Sequence, residues 1–498
     1  MVRFFYIQVI WGADLQKKAV DQWTRNIPVL ANRGDIVDRN GVVLATCKET
    51  YTVFVRPRAV KDVDNVSKVL ADIFSLDSLK IKEKITTTKV SEIKVKKHAE
   101  KSDIVKLEKY NLEGVYYAED VTRYYPYNEL LCQTLGYTSQ DGNGISGLEL
   151  YYDKYLSGIN GEILYEADLT GSDLENGNPY YMPATDGLNL MLTIDYEIQE
   201  IVEALTDKAM SEYTPKSASI LVMDCNNGEI LAMSQKPSFN LNEVPYNDID
   251  TLNKLGRIGM ISDSYEPGST FKTLTASANI EEFNNGNEKA FSLTHVFSSN
   301  RYRYVGGKKI KCWSTHENGK HANENLSMAL NNSCNPIFVD IALSLGKETF
   351  YKYVNSVGYG KCTGIDLNGE AQGMVIPYSS ATEGDLARIS FGQSIACTPL
   401  QLAMATSAAI NGGVYYIPYL ISDIYDSNGI VVQKNNPTVK NRVISEKASR
   451  ILSEMLEDVV ENGSGRHAYI DGYRVAGKTG DILTTCVNLV KNLIKIYT

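Results

Sequence analysis

Histidine is scarce in this chain, with five in 498 residues. The eight cysteines are scattered and include no C-x-x-C pair, and the histidines form no metal-binding cluster along the sequence. Both absences argue against a zinc site, so no metal ligand and no cofactor are assigned. There is no long basic block and the net charge is −10, which argues against nucleic acid as the main partner. No apolar run at the start approaches the roughly 20 residues of a spanning helix. Residues 1–11 are apolar but interrupted by Arg3 and Gln8, and they carry no signal-peptide cleavage pattern. Taken literally the chain has no address. The same start also reads as the end of a helix whose upstream part is missing.

What is present is an ordinary globular balance, 43% hydrophobic and 22% charged, in a length that suits two or three domains. Residues 12–25 read as a helix. Asn40-Gly41 between two apolar runs predicts a hairpin, and Asp35, Asp38 and Arg39 beside it read as a buried ion network or as solvated turn charges, the solvated reading being the default for a turn. Residues 51–56 read as a strand, and residues 60–113 as a solvated lobe of short, lysine-rich helices. The glycine-rich stretch from Asp141 to Glu149 lacks the helix-plus-lysine context of a phosphate cradle and reads as a structural loop. Composition shifts near residue 190. A strand over 190–195 and a helix over 196–211 precede a second hairpin, 218–224 and 229–234, joined through Cys225-Asn226-Asn227-Gly228.

The chemistry gathers around Tyr265-Glu266-Pro267-Gly268-Ser269-Thr270-Phe271-Lys272. A turn pair runs into a serine at a helix mouth, and Lys272 lies one turn further on the same face. A serine hydroxyl is a weak nucleophile until a base takes its proton, and a well-placed lysine serves. The same S-x-x-K spacing occurs at Ser91/Lys94 and Ser344/Lys347, which read as solvated helix. Further along, Ser333-Cys334-Asn335 falls in the break between helices at 323–330 and 336–345. Thr398-Pro399 opens another helix. Ser445 caps one with an apolar stripe of Ile451, Leu452, Met455, Leu456 and Val459. A short strand over 473–477 then delivers Lys478-Thr479-Gly480, a triplet that occurs once; S-x-N has decoys at Ser238 and Ser298.

In this order the three motifs are those of penicillin-binding proteins and class A β-lactamases. Arg33-Gly34-x-Ile36-x-Asp38-Arg39-Asn40-Gly41, Arg123-x-Tyr125-Pro126 and Gly144-x-x-Gly147-Leu148-Glu149 add a resemblance to the N-terminal pedestal of class B penicillin-binding proteins, the monofunctional peptidoglycan D,D-transpeptidases. Leu192-Thr193-Ile194-Asp195 and Gly392-Gln393-x-Ile395-x-x-Thr398-Pro399-x-Gln401 resemble their transpeptidase domain. The chain looks most like the stage V sporulation branch, with the division transpeptidases next. The resemblance implies an α+β fold. A membrane-proximal helix (1–25) precedes a pedestal resembling the dimerisation module (26–185), then a transpeptidase domain (190–480) with a five-stranded antiparallel sheet flanked by helices. Residues 481–498 form a tail unlike the family.

The resemblance also implies a reaction. Ser269 attacks the D-Ala-D-Ala bond of a stem peptide, with Lys272 as base and Ser333, with Lys478 near it, passing protons. Asn335 binds the substrate amide. Lys478 and Thr479 hold its carboxylate, and Gly480 lets its backbone lie close. Ser269 and Asp481 supply the oxyanion N–H groups. The implied partners are stem peptides, lipid-linked precursors, β-lactams and a membrane glycosyltransferase, at the extracytoplasmic face of the membrane, in spore cortex or division septum. After Gly480 the family continues with two strands and a long helix. Eighteen residues cannot make these, so the end reads as a shifted or shortened reading frame, and Asp481 sets a negative charge beside the carboxylate-binding edge. An impaired relative acting only as a scaffold for wall-synthesis partners is the competing reading, and a β-lactamase or sensor a third. Cys334 is either a small filler or a redox control point through a disulfide to Cys312 or Cys362.

Overall fold

The computed structural model describes residues 24–88, 90–166, 180–316, 321, 323–483 and 489–497, and its first element is β1 (Thr24–Val29). The helix expected over 12–25 therefore gives way to strand at Thr24, and its remainder lies outside the described residues. β2 (Ile36–Val37) and β3 (Val43–Val55) pair through the Asn40-Gly41 turn, as the sequence predicts. Gly41 has φ 87°, which glycine adopts without steric cost. Asp38 departs from the expected solvated charge. It is fully buried and accepts the backbone N–H of Asn40, Val42 and Tyr196 at 2.8, 2.7 and 3.0 Å. Three donors offset the cost of burying the carboxylate. Arg39 stays exposed and pairs with Glu229 at 3.0 Å.

The lysine-rich lobe holds α1 (Val63–Phe74), α2 (Ser78–Thr87), β4 (Ile93–Ala99) and α3 (Lys101–Glu108). Asp62 and Asp77 cap the first two helices through backbone N–H groups. Strand β4, missed in the sequence, pairs with β3 on one side, and β5 (Val115–Tyr124) pairs with β3 on the other. Despite its charged surface the lobe has its own core, in which Val66, Leu70, Ile81, Ile85 and Leu107 pack on Val53 and Val55. β6 (Gly161–Glu166) and β7 (Tyr180–Met182) join β1 in a small sheet, and β8 (Asn189–Leu192) runs parallel to β2.

Asp195 caps α4 (Tyr196–Tyr213), and β9 (Ala218–Met223) and β10 (Ile230–Lys236) form the second predicted hairpin. A 3-10 turn, Gly268–Phe271, feeds α5 (Lys272–Asn284), which is buried along most of its length as a central helix should be. The small hairpin of β11 (Tyr302–Val305) and β12 (Lys308–Lys311) precedes α6 (Leu326–Asn331) and α7 (Asn335–Ser356), the last kinked at Gly346. α8 (Glu383–Ile389) is followed by α9 (Pro399–Ile410), opened by a reciprocal Thr398/Gln401 capping box. β13 (Val414–Tyr416), β14 (Ile421–Tyr425), β15 (Val431–Lys434) and β16 (Val439–Arg442) lead to α10 (Glu446–Glu461), then β17 (Val475–Leu483) and β18 (Leu489–Tyr497).

The largest sheet runs β15-β14-β8-β2-β3-β4, with β5 also on β3, so strands from both halves of the sequence share one ladder. The five-stranded sheet implied by the resemblance is replaced, among the described residues, by two separate hairpins, β9–β10 and β17–β18. β18 pairs with β17 along its whole length, from Val475 opposite Tyr497 to Leu483 opposite Leu489. The residues after Gly480 thus contribute one further strand, and no described strand bridges β17 to β9.

Candidate active site

Gly268, at φ 55°, places Ser269 on the 3-10 turn rather than on a first α-helical turn. Its N–H donates to the Gly392 carbonyl at 3.0 Å. A Cβ on Gly392 would lie 2.1 Å from the Gly268 carbonyl oxygen, so only glycine fits against the turn there. Glu266 accepts the Ser394 N–H at 2.8 Å and fixes the same loop. From below, Phe271 stacks on Tyr359 with ring centres 5.5 Å apart. The nucleophile turn is therefore held on both sides, with Ser269 half-buried at its surface.

Lys272 is fully buried, and its Nζ lies within hydrogen-bond reach of four oxygens. These are Ser269 Oγ at 3.1 Å, Ser333 Oγ at 3.0 Å, the Ser333 carbonyl at 2.7 Å and Asn335 Oδ1 at 2.6 Å. The buried Lys478 Nζ comes within 3.1 Å of the same Ser333 hydroxyl and donates to the Thr479 carbonyl at 3.1 Å. Burial, and then repulsion from Lys478, hold the Lys272 amine well below the ordinary lysine range. Ser333 has φ 53°, a left-handed conformation that turns its hydroxyl between the two amines. The fold thus brings Ser269, Lys272, Ser333, Asn335 and Lys478 together from three distant stretches of sequence.

Thr479 and Gly480 follow on β17. The Thr479 hydroxyl lies 3.2 Å from that of Ser464. At Gly480 a Cβ would meet Thr270 Cγ2 at 2.9 Å and the Pro267 carbonyl at 3.2 Å, so its bareness seats the strand against the nucleophile turn. Asp481 comes next, opposite Lys491 in the ladder. The surface S-x-x-K pair at Ser344 and Lys347 does not assemble: Ser344 donates to the Lys289 carbonyl and Lys347 to that of Ala381.

Sequence reasoning missed two features. Ser464 borders Thr479 and donates its N–H to the Asn331 carbonyl at 3.0 Å; its only signal is the Gly463-Ser464-Gly465 turn. The second corrects the expectation that the histidines form no cluster. His316 and His321 stand with Cys312 and Cys334, and their four ligand atoms all lie within 4.8 Å of one another. No local spacing rule finds the set, because Cys334 comes from the start of α7 and the rest from the segment after β12. The Cys334 thiol lies 3.9 Å from that of Cys312. Their hydrogen bond, then burial, push Cys334 up, while the same bond pulls Cys312 below its ordinary value. Cys362 is exposed, with its thiol on the Glu370 carbonyl.

Comparison with known proteins agrees with this arrangement. Residues 218–482 match the penicillin binding protein transpeptidase domain, and residues 28–192 match the penicillin-binding protein dimerisation domain. Stage V sporulation protein D of Bacillus subtilis is 38% identical over 96% of this chain and 73% of its own length. Peptidoglycan D,D-transpeptidase FtsI of Escherichia coli K12 is 28% identical over 96% of this chain and 78% of its own. Penicillin binding protein 2X from Streptococcus thermophilus superposes with a TM-score of 0.74 at 24% identity, over 95% of this chain and 74% of that one. With both modules matched and a serine, two lysines and an S-x-N loop converging at the site, the chain belongs to the penicillin-binding protein transpeptidase family.

Proposed function

We propose that this chain is a serine-type D,D-transpeptidase of peptidoglycan synthesis in which Ser269 is the acyl nucleophile and Lys272 its base. One observation carries the assignment: a fully buried lysine amine 3.1 Å from the serine hydroxyl, with its proton affinity lowered by burial and by Lys478. Both causes favour the neutral amine, the form that takes a proton. The Ser333 carbonyl and Asn335 Oδ1 only accept, so they occupy the two N–H groups of that amine. Its lone pair is left for a hydroxyl hydrogen, which Ser269 supplies.

Ser269 Oγ adds to the carbonyl carbon of the penultimate D-Ala of a stem peptide as Lys272 takes its proton. The backbone N–H groups of Ser269 and Asp481 receive the oxyanion, and Asn335 holds the substrate amide. The C–N bond then breaks. The leaving D-Ala amine is protonated through Ser333 Oγ, which lies 3.0 and 3.1 Å from the two lysine amines. Ser269 remains as an ester until an amine of a neighbouring stem peptide attacks it, gives up a proton along the same route and frees the serine. Lys478 and Thr479 hold the terminal carboxylate of the donor, and β-lactams acylate Ser269 through the same groups.

The names of the relatives point to spore-wall or division-septum synthesis as the setting. The reaction belongs at the extracytoplasmic face, where stem peptides meet, and the N-terminal module suits a membrane glycosyltransferase that supplies the strands. No helix among the described residues is long and apolar enough to cross a membrane. A scaffold role alone gives no reason to bury two lysine amines around one hydroxyl, since buried charge is costly. Labelling of the purified chain with a fluorescent penicillin tests the assignment. A covalent band lost in Ser269→Ala is expected. A folded chain that takes no label would hand the case to the scaffold reading.

A further inference from the structure

The Cys312, His316, His321 and Cys334 cluster lies directly behind the Ser333–Asn335 loop, and the acyl-transfer chemistry leaves it unused. Cys312 Sγ is 3.9 Å from Cys334 Sγ and 3.9 Å from His321 Nδ1, and Cys334 Sγ is 3.8 Å from His316 Nε2. A tetrahedral zinc ion with bonds of about 2.3 Å to sulfur and about 2.0–2.1 Å to nitrogen sets its ligand atoms about 3.4–3.8 Å apart. The cluster is within a few tenths of an ångström of that spacing along three edges. The sulfurs are well beyond the roughly 2.05 Å of a disulfide.

Two further observations point to a cation. His316 Nδ1 lies 2.8 Å from the Ser299 carbonyl, which can only accept, so the proton sits on Nδ1 and the Nε2 lone pair faces Cys334. Glu324 is almost fully buried (1% exposed) beside the cluster. Its Oε1 accepts from Asn332 at 2.6 Å, whereas Oε2, 3.8 Å from His321 Nδ1, has no hydrogen-bond partner. A buried carboxylate oxygen left without a donor calls for positive charge nearby. The two thiolates cancel the charge of a divalent ion, so what the metal offers this oxygen is the polarised ring of the bound His321, 3.8 Å away.

We propose that Cys312, His316, His321 and Cys334 bind one zinc ion, and that this closed site holds the Ser333–Asn335 loop in its acyl-transfer geometry. The donor set of two thiolates and two imidazoles selects zinc over harder cations. With all four positions filled by protein the ion activates no water and acts by position. Cys334 stands between Ser333 and Asn335, the two residues that reach Lys272. Tying its thiol to the segment after β12 fixes the peptide from which both project. The positioning half rests on the roles proposed above for Ser333 and Asn335, while the metal-binding half does not.

The full chain, purified under reducing conditions, is assayed for zinc by mass spectrometry. About one zinc per chain is expected in the wild type and in Cys362→Ser, whose thiol lies elsewhere, and a loss of most of it in Cys312→Ser. Cobalt substitution of the wild type is expected to give thiolate-to-metal charge-transfer absorption. A folded wild-type chain that stays below about a tenth of a zinc ion after incubation with zinc sulfate and desalting overturns the site. So does a Cys312→Ser variant with full zinc. Should that variant fail to fold, the wild type stripped by a chelator serves in its place. It is expected to keep its far-ultraviolet circular dichroism, to lose about tenfold or more in penicillin acylation rate and to regain it when zinc is returned. An unchanged rate after stripping overturns the positioning role. Stoichiometric zinc in a chain that never reacts with penicillin upholds the metal site and counts only against the acyl-transfer reading.

Discussion

Lys272 carries the catalytic proposal, and its environment sets a pH dependence. Its amine is lowered well below the ordinary value of about 10.4 by burial and by the neighbouring Lys478 charge. A base must be unprotonated to act, so acylation is lost as pH falls through the lowered value and is retained above it. The rate of penicillin acylation should therefore rise along a single limb well below pH 10, and a limb at the ordinary lysine value would remove Lys272 as the base. Lys272→Ala should slow acylation by about 10²–10⁴-fold, the usual contribution of a positioned base, with Ser269 still in place. Single residues of this kind were legible because the motifs are short and chemically specific. The burial of Asp38 was not, because one of its three donors, the Tyr196 N–H, comes from a helix far along the chain.

Helices α6 and α10 meet through Asp458, and this contact braces the loop that carries Ser333. Asp458 accepts from Ser327 at 3.0 Å and from Asn331 at 2.5 Å, both on α6, and from Asn462 at 2.7 Å. Burial works against its charge but is outweighed by the Asn462, Asn331 and Ser327 hydrogen bonds, so its carboxyl is held below the ordinary range. A depressed carboxyl stabilises the fold above its unfolded value of about 3.9, and the gain is lost as pH falls through the folded value. Asp458→Ala should cost about 1–3 kcal/mol near neutral pH in urea unfolding, and the deficit should shrink as pH falls below about 3.9. A deficit independent of pH would deny the carboxylate its role. Elements with local signals were legible: both hairpins, the Thr398 and Ser445 caps and the stripe of α10. Strand β4 was hidden because four of its seven residues, Lys94, Lys96, Lys97 and His98, are basic and mask the alternation. The expected five-stranded sheet was a property of the family, and the residues after Gly480 gave no sign that β17 would pair instead with the next strand, β18.

Across the whole molecule, the pedestal motifs that read as three separate stretches converge on one buried carboxylate. Glu149 is fully buried and accepts from Arg33 Nε and Arg123 Nε, each at 2.6 Å. The Glu149 carbonyl accepts from Arg33 at 2.7 Å, and the Gly34 carbonyl accepts from Arg123 at 2.8 Å. A Cβ on Gly144 would lie 2.0 Å from the Glu149 carbonyl oxygen, so the glycine-rich loop is shaped to deliver this glutamate and has no need of a phosphate. The network joins the segment before β2 to the end of β5 and to the loop. β2 lies in the same ladder as β8 and β14, so the clamp also steadies the seam between the two halves of the chain. Removing the shared carboxylate would leave the buried Arg123 guanidinium without its counter-charge and Arg33 with only the partly exposed Asp153, 2.7 Å from its Nη1. Breaking a buried pair in this way costs about 3–5 kcal/mol, more than an exposed pair of the same length returns. Glu149→Ala should lower unfolding stability by that amount in denaturant titration. The clamp lies away from Ser269, so chains of the variant that remain folded should label with penicillin at the wild-type rate. A loss under about 1 kcal/mol would place the network with solvated surface pairs, and slowed labelling in the folded fraction would show that the pedestal shapes the acyl-transfer site as well as carrying it.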